Sequence, residues 1–145
     1  MIKEFKNTPF ETCSGQKIIY DTEDVRVYAD KWPVCDGHLL FVPKENTERA
    51  ITIAMGQALR LGQTEQASGK IDGFHIGINM GKAAGQSVMW PHVHYIPRRN
   101  GDHNASQPGS VRLAHKSGKN FKYYATHPDF KDEYNKIHGK IFDDE

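Results

Sequence analysis

Cysteine is nearly absent from this sequence, and so is any long apolar run or any excess of one charge. Cys13 and Cys35 are its only cysteines, and they form no CxxC pair. That argues against a disulfide framework or a four-cysteine zinc site, and it makes a cytoplasmic location the default expectation. No apolar run approaches the roughly 20 residues of a membrane-spanning helix, and the first residues lack the core of a signal peptide, so no membrane partner is expected. Nineteen Lys and Arg stand against 18 Asp and Glu, a formal net charge of +1. Such a balance gives no general pull toward nucleic acid, and any anion must be bound locally. What is present is ordinary for a folded protein: 26% charged and 37% hydrophobic residues over 145 positions. One domain spanning 1–145 with a single core is the expectation.

Periodicity supplies the elements. Ile18-Ile19-Tyr20 suits a short strand, and Val25, Val27 and Ala29 alternate with Arg26 and Tyr28 as in a half-buried one. Gly37 to Pro43 is a near-continuous apolar run closed by proline, as in an interior strand. Asn46 or Thr47 suits a helix cap, and Ile51, Ala54, Met55, Ala58 and Leu61 fall on one helical stripe that Gly69 ends. Phe74, Ile76 and Ile78 form a further strand, a small-residue loop spans 80–87, and a last strand carries His92 and His94. Beyond Asn100 the chain turns polar, with a basic aromatic segment at 111–124 and a short helix expected from Pro128 to about Ile137. Strands around one main helix indicate α+β with antiparallel pairing.

The chemistry concentrates at 81–99. His92 and His94 lie on one face of an extended strand. Alone, such a pair is a metal half-site, a catalytic pair or a structural feature; a metal would need a third ligand, for which His38, His75 and Asp30 are candidates. Gly81, Gly85, Gln86 and Ser87 offer backbone N–H groups and short polar side chains, which favours an anion beside the imidazoles. A neutral imidazole is a competent nucleophile toward phosphorus, and a backbone carbonyl holding Nδ1–H would present Nε2 for attack.

In order along the chain stand Asp30-Lys31-Trp32-Pro33, Gly37 to Lys44, Gly77-Ile78-Asn79-Met80-Gly81, Ala84 to Val88, and His92-Val93-His94-Tyr95-Ile96-Pro97-Arg98. Over residues 18–102 this series resembles the histidine-triad nucleotide hydrolases and transferases. The resemblance implies an antiparallel sheet of about five strands with one main helix, here followed by a C-terminal helical extension within 103–145. It implies a metal-free and cofactor-free reaction in which His92 attacks an α-phosphorus, becomes a nucleotidyl-histidine and is freed by water. It places His94 at the phosphate and bridging oxygen, Asn79, Gly85, Gln86 and Ser87 at the phosphate site, Asp30 at the ribose hydroxyls and His38 close to the triad. The substrates it implies are purine nucleoside phosphates or dinucleoside polyphosphates, and the family commonly forms homodimers.

One departure matters. The first of three alternating histidines is replaced by Trp90, followed by Pro91. In relatives that position supports the nucleophile through its backbone carbonyl, which Trp90 retains, and Pro91 biases Trp90 toward an extended conformation. Trp90 is counted with the nucleotide-binding positions. The alternative function is a nucleotide-binding protein whose catalysis is weak or lost. Trp32 suits the core better than a nucleobase platform, and His75 suits a solvated strand face.

Overall fold

Alternating apolar residues build a sheet here, and an i, i+4 stripe of small residues brings one helix down onto it. The computed structural model describes residues 5–8, 10, 17–86 and 88–102. Its strands are β1 (Lys17–Asp21), β2 (Val25–Ala29), β3 (Leu39–Pro43), β4 (Gly73–Ile78) and β5 (Val93–Arg98), with the main helix, α1 (Glu48–Ala67), between β3 and β4. All neighbours pair antiparallel in the order β1-β2-β3-β5-β4. The class is α+β, a five-stranded antiparallel sheet with one main helix.

The period of two divides the side chains between two layers. Val25, Val27, Phe41, Val93 and Tyr95 pack with Ala54, Ala58 and Ile71 on the helix side. Tyr28, Leu40 and Val42 face the other way and cluster with Phe10 and Trp90. The β3–β5 register sets Leu40 opposite His94, which assigns His94 to this second layer.

Thr47 caps α1 by accepting the Ala50 N–H at 3.2 Å, as its sequence position suggests. The buried stripe is Ala50, Ala54, Ala58 and Gly62, offset from the larger residues Met55 and Leu61, which pack at its margin. The segment Gly37 to Pro43 enters the sheet only at Leu39. Gly37 has φ +90°, a left-handed conformation that breaks the strand, and His38 is turned into the site. Residues 103–145, with the segment 111–124 and the helix expected at 128–137, lie outside the described residues, as does Ser87. Among the described residues no helix is long and apolar enough to cross a membrane.

Candidate functional site

Four side chains converge on the second face of the sheet: Asp30 and His38 from the β2–β3 connection, and His92 and His94 at the start of β5. His92 immediately precedes β5, and its ring centroid lies 5.2 Å from that of His94. His94 in turn lies 5.2 Å from His38.

The His92 Nδ1 is 2.8 Å from the Trp90 carbonyl oxygen. A carbonyl only accepts, so Nδ1 carries the ring proton and Nε2 keeps its lone pair. Burial holds the His92 imidazole below the usual histidine value, partly offset by the Trp90 hydrogen bond. His92 is 5% exposed, with the Phe10 ring at 5.3 Å. The Trp90 carbonyl therefore meets the proton-bearing nitrogen of His92, while the Trp90 side chain packs into the core. The ring is 1% exposed, and its Nε1–H donates to the Pro43 carbonyl at 2.8 Å.

The neighbouring loop is also tied up more closely than its composition suggests. The Gly81 N–H donates to Gln86 Oε1 at 2.7 Å, and Gln86 Nε2 donates to the Val88 carbonyl at 2.9 Å. The Gly85 N–H meets the Lys82 carbonyl, and the Gln86 N–H meets that of Gly81. Asn79 Nδ2 donates to the Ala84 carbonyl at 2.6 Å. These groups fix the loop's shape beside the histidines; Gly85, at φ +85°, makes the turn that a side chain would strain.

Asp30 is engaged on both oxygens. Oδ1 accepts the Trp32 N–H at 2.9 Å, and Oδ2 lies 3.1 Å from His38 Nε2. His38 Nε2 is also 3.0 Å from His94 Nδ1, and His38 Nδ1 accepts the Val34 N–H at 3.0 Å. One ligand atom each from Asp30, His38 and His94 lies within 4.8 Å of the others, a spacing that could hold a metal ion. The hydrogen bonds fit that use poorly. With Nδ1 accepting a backbone N–H, the neutral His38 ring carries its proton on Nε2, the atom a metal would need bare.

His75 stands apart from this group, 3.4 Å from Arg98, which is itself paired with Asp102. Arg99 donates to the Asp36 carbonyl. Trp32 is half-buried beneath Lys31. Two contributors escape sequence reasoning. Val34 acts through its backbone N–H, which no side-chain pattern advertises, and Phe10 precedes β1 in a stretch where the sequence offers no periodic pattern to mark it.

A family model described as the HIT domain matches residues 12–101. An uncharacterized HIT-like protein of Methanocaldococcus jannaschii is 33% identical over 102 residues, covering 66% of this chain and 79% of that protein. The asymmetrical bis(5′-nucleosyl)-tetraphosphatase of Schizosaccharomyces pombe is 26% identical over 119 residues, and the match spans 77% of this chain but only 65% of that protein. Among solved structures, a zinc-bound histidine triad family protein from Mycobacterium smegmatis superimposes with a TM-score of 0.60 at 29% identity, covering 79% of this chain and 89% of that one. Match, fold and the order of motifs agree, and the chain belongs to the HIT domain family.

Proposed function

We propose that this protein is a nucleotide-phosphate hydrolase or nucleotidyl transferase that works through Nε2 of His92. The observation that carries the reading is the 2.8 Å hydrogen bond from His92 Nδ1 to the Trp90 carbonyl. It fixes the tautomer in which Nε2 can attack, and burial keeps the ring neutral. Attack forms a P–N bond at the α-phosphorus and breaks the bond to the leaving phosphate, which departs with the electron pair. A phosphate leaving group, whose second pKa is about 6, needs no proton at neutral pH. The proton stays on His92 Nδ1, donated to the Trp90 carbonyl, so the charge developing on the ring is stabilised where it arises. Water then attacks phosphorus, the electron pair returns to Nε2, and one proton passes to solvent. His94, beside His92, serves the phosphoryl oxygens, and the loop from Asn79 through Gly85 and Gln86 to Ser87 borders the nucleotide.

His92→Ala is expected to lower turnover of a dinucleoside polyphosphate by at least about a thousandfold, with the circular dichroism of the wild type retained. Turnover at the wild-type rate in that variant would sink the mechanism. The alternative, a nucleotide-binding protein without catalysis, gains support from the covering of His92 by Phe10. Intact-mass measurement after rapid quenching separates the two, because only the enzyme carries a nucleotidyl mass on His92. The same reading includes a homodimer. Among the described residues strand β4 ends the sheet, and a second copy pairing along it continues the antiparallel order. A monomer throughout the micromolar range in sedimentation would remove that part.

A further inference from the structure

The structure assigns to His38 the setting of the His94 tautomer: a chain of hydrogen bonds from the Val34 N–H forces the His94 proton onto Nε2. The inference deepens the proposed function and rests on it for its catalytic meaning, though not for its geometry. A backbone N–H can only donate. Val34 N lies 3.0 Å from His38 Nδ1, so that nitrogen is bare and the neutral ring carries its proton on Nε2. This proton faces two acceptors, Asp30 Oδ2 at 3.1 Å and His94 Nδ1 at 3.0 Å.

His94 Nδ1, facing an N–H, must itself be bare. Its proton then sits on Nε2, on the far side of the ring from His38. Neutral His94 is thereby a fixed hydrogen-bond donor for a phosphoryl oxygen held on His92. A second proton on Nδ1 would confront the His38 N–H, because Asp30 Oδ2 is 3.9 Å from that nitrogen. Asp30 holds its own place through the Trp32 N–H on its other oxygen. The His38 side chain is fully buried and that of Asp30 is 7% exposed, so water competes little with these bonds. His38 and Asp30 are therefore positioning residues, which act on the substrate only through His94.

His92, just before β5, and His94, within it, then carry opposite tautomers, each dictated by the backbone. The Trp90 carbonyl puts the His92 proton on Nδ1, and the Val34 N–H, relayed by His38, puts the His94 proton on Nε2. One ring attacks and the other donates.

The test is nitrogen NMR of the full chain labelled with ¹⁵N-histidine, at a pH where free histidine is neutral. His94 is expected as the Nε2–H tautomer and His92 as the Nδ1–H tautomer. His38→Leu is expected to give His94 as a mixture of both tautomers while His92 is unchanged. With a dinucleoside polyphosphate, that variant should lose about a hundredfold in kcat, the scale of a lost oxyanion donor, with KM little changed. His38→Gln, which keeps both an acceptor and an N–H donor, should restore the Nε2–H form and about tenfold of the lost kcat. An Nδ1–H tautomer at His94 in the wild type overturns the inference even if neither variant folds. So does an unaltered His94 in folded His38→Leu. A wild-type chain that shows the expected tautomers but no turnover supports the inference and overturns the proposed activity instead.

Discussion

At the scale of single residues, Trp90 shows how backbone and side chain can be given separate duties. Its carbonyl orients His92, and its indole closes the second core layer, with the Phe5 ring at 6.2 Å and its N–H on Pro43. Trp90→Phe removes that N–H together with part of the buried ring and leaves the Pro43 carbonyl without its donor, at an expected cost of about 1–3 kcal/mol. Trp90→Ala opens a cavity and should cost about 3–5 kcal/mol. Urea unfolding at constant m-value checks both. The carbonyl's duty was legible from sequence, because a backbone group survives any substitution. The fate of the indole was not, since burial depends on Phe5 and Pro43, which no local pattern connects to position 90. Gln86 teaches the same lesson: its side chain suggests a ligand contact, but it spans the loop from Gly81 to Val88. His92 adds a pH dependence. Its folded value is depressed, chiefly by burial, while an unfolded chain takes up the proton near pH 6.5. Its contribution is therefore complete above that value and is lost as pH falls from there toward the folded value. His92→Gln should flatten the fall of the urea midpoint between about pH 7.5 and about pH 5.5. His75, held low by burial and by Arg98, leaves a slope of the same sign in that variant.

Elements follow from periodicity wherever each contact is local. The alternations at 25–29 and 74–78, the Thr47 cap and the end of α1 near Gly69 all emerge from residues within a few positions of one another. Packing between elements does not, and Gly62 is the clearest case. By sequence it only weakens a helix, by about 1 kcal/mol relative to alanine. In the fold it lets the helix approach β4: a Cβ there would lie 2.4–2.5 Å from the Phe74 ring. Gly62→Ala is therefore expected to destabilise by about 1–3 kcal/mol, because the gain in helix propensity is outweighed by overpacking. Gly56, six residues earlier on α1, has nothing within 4 Å of the same added atom. Gly56→Ala should accordingly stabilise, by about 0.5–1 kcal/mol. Opposite shifts in melting temperature for the same chemical change would show that contact with β4, not helix propensity, decides the sign. Adding Phe74→Leu to Gly62→Ala should recover part of the loss, by giving the methyl group room. On the same helix, Glu65 accepts the Tyr95 hydroxyl at 2.6 Å and pairs with Lys70, tying α1 to β5 at the strand that carries His94.

At the scale of the molecule, the described residues form two hydrophobic layers sharing one sheet, and the candidate site lies on the face opposite α1. On the α1 side the cover is a continuous element whose stripe is written in the sequence. On the other side, among the described residues, Phe5 and Phe10 supply part of the cover. Phe10 joins the two functions of that layer, because its ring lies 5.7 Å from Tyr28 and 5.3 Å from His92. It is both core and the wall that keeps water from the proposed nucleophile. Removing it should therefore change stability and chemistry together. Phe10→Ala is expected to cost up to about 3–5 kcal/mol, less if the segment collapses into the space. Hydration of His92 should also rise, and with it the pKa that burial had depressed, moving back toward about 6.5. The falling acid limb of turnover should shift to higher pH in step, since more of the nucleophile is then protonated at a given acidity. Diethyl pyrocarbonate, which modifies unprotonated accessible imidazole, should label His92 faster in Phe10→Ala than in the wild type above the titration range. A variant that loses stability while His92 keeps its pKa and labelling rate would make Phe10 a packing residue alone. A joint shift would show that the wall of the core and the wall of the site are one.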